Sequence, residues 1–225
     1  TDLGARLALA GKSVSFDGTA ILPSGSLTLT AMGDAATDGG IVGSDGVIDV
    51  SGNTVNFGNA TAAAPGGQIT LQSAHGDVQI QSGAKIDVAG GDASAGGGSI
   101  SIAASQGQAA IAGDLTATAV PVSDAQADFS LDAGSISDFA SLTNSLGQGG
   151  FTGMVNIHAR TGDLVIGPDD TIKAHDLSLS ADGSGVDASG NPVRDGGNID
   201  IYGQIDASGA VAGQVNINAA YDLTV

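Results

Sequence analysis

Short phrases of alternating apolar and polar residues, each ended by Gly or Asp, return along the whole of this chain. One phrase is Gly, a small polar residue, then apolar–polar–apolar. It reads Gly67-Gln68-Ile69-Thr70-Leu71, Gly98-Ser99-Ile100-Ser101-Ile102, Gly197-Asn198-Ile199-Asp200-Ile201 and Gly213-Gln214-Val215-Asn216-Ile217. A second is apolar–Asp–small–small–Gly, beginning at Ile48, Ile86, Val186 and Ile205. A third, Gly-Asp-apolar-x-apolar, begins at Gly76 and Gly162. Alternation with period two sends successive side chains to opposite faces of a strand. Each phrase therefore reads as a strand of about four or five residues ended by a turn.

Spacing selects an architecture. Val186 and Ile205 mark an interval of about 19 residues, and Ile48 and Ile86 lie at twice that interval. Three short strands with their turns make one coil of about 19–22 residues. A single coil buries little. Stacked coils pair each backbone amide with the neighbouring coil and line like side chains into internal ladders. The expected fold is an all-β parallel β-helix, a solenoid, with residues 1–225 forming a single rod segment. The rival is a β-sandwich. Asp17-Gly18, Asp45-Gly46 and Asp182-Gly183 would supply its tight turns but do not account for the recurring interval.

Composition agrees with strands and turns. All 24 acidic residues are Asp and none is Glu. Glu favours helix, whereas Asp competes for backbone hydrogen bonds and favours turns, so helix should be minor. The net charge of −18 excludes non-specific nucleic-acid binding, and an anionic membrane surface would repel the chain. Without Cys, disulfides and Cys-type zinc sites are excluded. No apolar run approaches the ~18 residues of a membrane helix. Thr1 is not an initiator Met, so the segment is expected to be a mature form or a piece cut from something longer.

One stretch breaks the pattern. Over 118–150 the phrases thin out, and Phe129, Phe139 and Phe151 cluster in it or beside it. Phe139, Leu142 and Leu146 fall at i, i+3 and i+7, with Ser137 and Asp138 as candidate caps. A short helix near 137–146 is expected, either covering a flank or protruding. Phe129, Phe139, Leu142 and Leu146 are the interaction candidates, because only here does the sequence offer a partner something non-repetitive.

The Ile-Asp-Ala-Ser-Gly phrase with Gly-Gly-Asn-Ile-x-Ile resembles the filamentous haemagglutinin family, as do Gly150-Phe151 leading to Val155-Asn156-Ile157 and Arg160-Thr161-Gly162-Asp163-Leu164. The resemblance covers most of the chain and rests on repeat consensus. It implies a right-handed β-helical shaft of a long exoprotein of Gram-negative bacteria, secreted or held at the cell surface. It also implies export through an outer-membrane partner pore (two-partner secretion) and a role in adhesion, biofilm or cell–cell contact. The implied partners are host or bacterial cell-surface glycans or proteins, or extracellular polysaccharide. End-to-end or lateral self-association is a further expectation. The family's secretion domain with its Asn-Pro signatures has no counterpart here, since Asn191-Pro192 stands alone.

No catalytic or cofactor-binding constellation stands out, and the chain is not expected to be an enzyme. The alternative is a polysaccharide-binding or polysaccharide-processing β-helix, a lyase or hydrolase. That requires paired carboxylates or calcium with a basic residue. Asp169-Asp170 after Pro168, with His158, Arg160, Lys173 and His175 nearby, is the best match. For structural calcium the candidates are Asp187 and Asp206, which share the spacing of Val186 and Ile205 and would stack in adjacent coils; the plainer alternative is solvated Asp at turns.

Overall fold

The alternating phrases add side by side. In the computed structural model, which describes residues 3–92, 94–118, 126–187, 189–208 and 212–225, eight strands form one parallel sheet. In order they are Arg6–Gly11, Ser26–Ala31, Gln68–Ser73, Ser99–Ile111, Asp128–Ile136, Met154–Ala159, Asp176–Ala181 and Gln214–Ala219. At ~4.8 Å per strand this long sheet extends roughly 34 Å. Strands occupy 52% of the chain and helix 5%, as an all-Asp acidic set predicts.

Register turns alternation into a core. Leu27, Ile69, Ile100, Phe129, Val155 and Leu177 lie side by side on one face. Leu29, Leu71, Ile102, Leu131, Ile157 and Leu179 form the next inward row. All twelve are buried. A slip of one residue would expose both rows, so the register is strongly specified.

Between visits to the long sheet the chain lays down two further rows of short parallel strands. One joins Val14–Phe16, Gly40–Val42, Val78–Ile80 and the far end of Ser99–Ile111. The other joins Thr19–Ile21, Val47–Asp49, Lys85–Asp87 and Asp114–Thr116. Nearer the C-terminus, Gly162–Ile166, Gly196–Ile201 and Leu223–Thr224 form one set, and Thr171–Lys173 pairs with Gln204–Asp206.

The interval between strands of the long sheet is not constant, which corrects the expected repeat of about 19–22 residues. Arg6 pairs with Ser26 and Met154 with Asp176, and both intervals match that expectation. Ser26 pairs with Gln68 and Asp176 with Gln214, across intervals nearly twice as long. The long intervals contain antiparallel hairpins, Thr54–Asn56 with Thr61–Ala63 and Ser184–Val186 with Pro192–Arg194. Ile48 and Ile86 are direct register partners, so the chain between them is one interval and not two. Val186 lies on a hairpin while Ile205 pairs with Ile172, so their spacing is not a structural repeat. Such excursions are tolerated because loop-closure entropy grows only slowly with length.

The helix spans Phe139–Gly149. Asp138 caps its start, accepting from the Ser141 N–H at 2.9 Å, and Gly150 ends it in the left-handed conformation. It occupies the stretch of chain where other intervals place their short strands, and it touches Asp114–Thr116, Thr171–Lys173 and Gly162–Ile166. Ala117 N–H donates to the Gly149 carbonyl at 2.8 Å, so the helix end joins the strand row directly. A helix is wider than a strand. Phe129, Phe139 and Phe151 fill the wider core beside it, with Phe129 and Phe151 edge to face at 5.9 Å. The irregular stretch is therefore narrower than 118–150, because Asp128–Ile136 is a regular member of the long sheet. Residues 119–125 lie outside the described residues.

Candidate functional site

The outward face of the long sheet carries short polar side chains. Thr28, Thr70, Ser101, Ser130, Asn156, Ser178 and Asn216 form one row. The next outward row runs Thr30, Gln72, Ala103, Asp132, His158, Ser180 and Asn218. Charge concentrates at one place in it.

There, His158 Nδ1 lies 3.2 Å from Asp132 Oδ1 and Nε2 lies 2.9 Å from Asp182 Oδ2. Arg160 forks onto Asp132, with Nε 3.1 Å from Oδ1 and Nη2 2.9 Å from Oδ2. The hydrogen bond to Asp132 is the main reason the Arg160 guanidinium is held above its ordinary pKa; partial desolvation opposes it, and Asp182 adds a smaller attraction. The four side chains thus form a half-exposed network across three neighbouring strands. Both imidazole nitrogens face a carboxylate. Among the described residues no Ser or Thr hydroxyl is hydrogen-bonded to His158.

The Asp phrases have a different job. At the end of a short strand, Asp49 accepts from the Ser51 N–H, Asp87 from Ala89 and Asp206 from Ser208, each at 2.8–2.9 Å. These are Asx turns, which let the chain turn a corner after each strand. In the Gly-Asp phrase the carboxylate reaches the neighbouring strand instead: Asp77 accepts from the Gln108 N–H and Asp163 from Asn198. The Asp163 contact sits where the register shifts between Gly162 and Leu164. It satisfies an amide that the bulge leaves without a ladder partner. Burial is the main cause of a raised Asp87 pKa, opposed by the Ala89 N–H and reinforced by Asp49 on the adjacent strand.

The residues singled out from sequence are placed as follows. Phe129, Phe139, Leu142 and Leu146 are all buried, so they hold the helix to the core and are not presented to a partner. Asp187 lies in a hairpin loop, accepting from the Ser189 and Asn191 N–H groups, while the register partner of Asp206 is Lys173. These two carboxylates do not occupy adjacent strands, which removes the basis for a shared calcium. Among the described residues no three His or Asp side chains are grouped to hold a metal ion. Asp170 accepts from the Gly167 N–H inside the expected turn, apart from His158 and Arg160, whose partners are Asp132 and Asp182. Lys173 faces Asp206 at 3.9 Å, and His175 Nδ1 lies 3.3 Å from Asp176. The Asp132 cluster escaped sequence reasoning because its members lie on or just past three strands far apart along the chain, and only register joins them. No family model, curated protein or solved structure matches the chain.

Proposed function

We propose that this chain is a shaft segment of a large secreted or cell-surface bacterial exoprotein, wound as a right-handed parallel β-helix of the filamentous haemagglutinin kind. Its work is mechanical and adhesive: it holds binding surfaces away from a cell and takes part in adhesion, biofilm or cell–cell contact. One observation carries the reading. Eight strands from along the chain share a single parallel sheet, apolar inside and polar outside, with two further rows of short strands laid down between visits. Stacked strands touching only their neighbours extend a structure without limit on length. The partners are then cell-surface glycans or proteins, or extracellular polysaccharide, with an outer-membrane pore serving the parent protein. Small-angle scattering should give an elongated particle, and beads coated with the protein should bind cells or biofilm matrix. A globular scattering profile, or binding no greater than albumin-coated beads, refutes the proposal.

The Asp132–His158–Arg160–Asp182 cluster favours a second reading, polysaccharide processing. Two carboxylates beside a cation on an open sheet are the groups such chemistry uses. Release of unsaturated or reducing ends from acidic polysaccharides, abolished by Asp132→Asn, would establish it. No release from a broad panel would exclude it.

A further inference from the structure

The hairpin of Thr54–Asn56 and Thr61–Ala63 stands out from the strand rows, and every residue from 54 to 62 is exposed. Asn56 and Thr61 are register partners, so the loop between them is Phe57-Gly58-Asn59-Ala60. It is tightly closed. Phe57 N–H donates to the Ala60 carbonyl at 2.7 Å, and the Asn56 side-chain oxygen accepts from the Gly58 N–H at 2.8 Å. Gly58 sits at φ +87°, a conformation that suits glycine, with nothing near it.

Two features of this loop have no account in packing. Phe57 is 70% exposed, although Phe129, Phe139 and Phe151 are buried. Among the described residues, the Asn59 amide and the Thr61 hydroxyl make no side-chain hydrogen bond. Asn59-Ala60-Thr61 is also the only Asn-x-Ser/Thr triplet in the sequence, and its middle residue is not Pro. That pattern marks an acceptor for N-glycosylation.

We propose that Asn59 is an N-glycan acceptor and that Phe57 is the platform against which its first sugar rests. The donor class is a sugar activated as a diphosphate ester. Asn59 Nδ2 attacks the sugar C1, a new C–N bond forms, and the C1–O bond to phosphate breaks. The bonding pair leaves with the diphosphate, and the displaced amide proton passes to the transferase. The aromatic lies two residues before the acceptor in a loop closed by the Phe57–Ala60 hydrogen bond, and its ring is exposed. The negative face of a phenyl ring attracts the C–H groups of a sugar ring. The sugar would cover a ring that otherwise faces water. This inference does not depend on the shaft reading.

The test uses the native protein in two arms, since the activated sugar can arrive on a lipid or on a nucleotide. One arm supplies an oligosaccharyltransferase with a lipid-linked oligosaccharide. The other supplies a soluble N-glycosyltransferase with UDP-glucose. Intact mass should rise by one glycan per chain in at least one arm, and the reactive arm identifies the donor. Asn59→Gln should abolish the gain, Thr61→Ala should reduce it at least tenfold, and Thr61→Ser should keep it. The glycan should also raise hydrogen-exchange protection across 54–63, and this gain should vanish in Phe57→Ala, which still accepts the glycan. No addition in either arm, addition elsewhere, or addition only after denaturation overturns the acceptor assignment. An undiminished protection gain in glycosylated Phe57→Ala overturns the platform.

Discussion

Shortening Phe129 to Ala tests the way the helix is built into the sheet. The ring is fully buried, lies in the inward row between Ile100 and Val155, and meets Phe151 edge to face. A Phe side chain removes ~150–250 Å² from water. At about 25 cal/mol per Å² that is roughly 4–6 kcal/mol as an upper bound. Core Phe→Ala changes cost about 3–5 kcal/mol once the cavity is included, which sets the expectation. The location of the loss is as diagnostic as its size. Beside this strand the two short-strand rows give way to the helix, and the long sheet carries the parallel pairing through. Urea denaturation followed by circular dichroism should show the drop, with Phe57→Ala, at an exposed ring, staying within about 0.5 kcal/mol. Hydrogen exchange should speed up across 128–136 and 154–159 and remain slow across 26–31 and 68–73. A loss under about 1 kcal/mol, or protection falling equally in all eight strands, would refute the reasoning.

Three further outcomes rest on particular contacts. Arg160→Ala removes a forked but half-exposed ion pair and should cost about 0.5–1 kcal/mol, a difference that shrinks in high salt; an unchanged difference at high salt would count against an electrostatic origin. Asp87 has a raised pKa, so its favourable contribution is fully present below the usual carboxylate range and is lost as pH rises through the folded value. Asp87→Asn keeps the acceptor for Ala89 and should therefore be neutral or slightly stabilising at neutral pH, the advantage disappearing in acid; lower stability than wild type at neutral pH would contradict this. Gly149→Val would drive a Cβ into the Leu115 carbonyl oxygen and should lift the helix end, costing about 1–3 kcal/mol, with faster exchange at Ala117 as the readout.

The parts of the fold legible in the sequence were those that repeat locally. Leu27 and Leu29, Ile69 and Leu71, and Ile100 and Ile102 announce their inward direction by alternation alone, and the structure buries all six. Phe139, Leu142 and Leu146 marked one face of a helix for the same reason. What sequence could not give was which strand lies beside which. The separation of Val186 and Ile205 looked periodic because Asx turns reuse one phrase wherever a strand ends, including in a hairpin. The two hairpins went unseen because such short strands carry too little alternation to be told from loop. The Asp132 cluster depends wholly on register, so no local pattern reports it.

The acidity of the chain has an origin in its turns. Among the described residues, eleven of the 24 Asp side chains accept a backbone N–H, including Asp49, Asp77, Asp138, Asp163 and Asp206. They end strands, cap the helix and satisfy amides left over at a bulge. A fold made of many short strands has many corners, and Asp is among the few residues whose side chain can close one. Glu, one methylene longer, is not favoured at such turns. Hydrogen bonds to the ionised form hold Asp92, Asp138, Asp187 and Asp206 below the ordinary carboxylate pKa, so these corners stay charged further into acid than a free Asp would. Much of the net charge of −18 is thus a by-product of turn chemistry, and it keeps exposed strand edges apart without requiring a ligand.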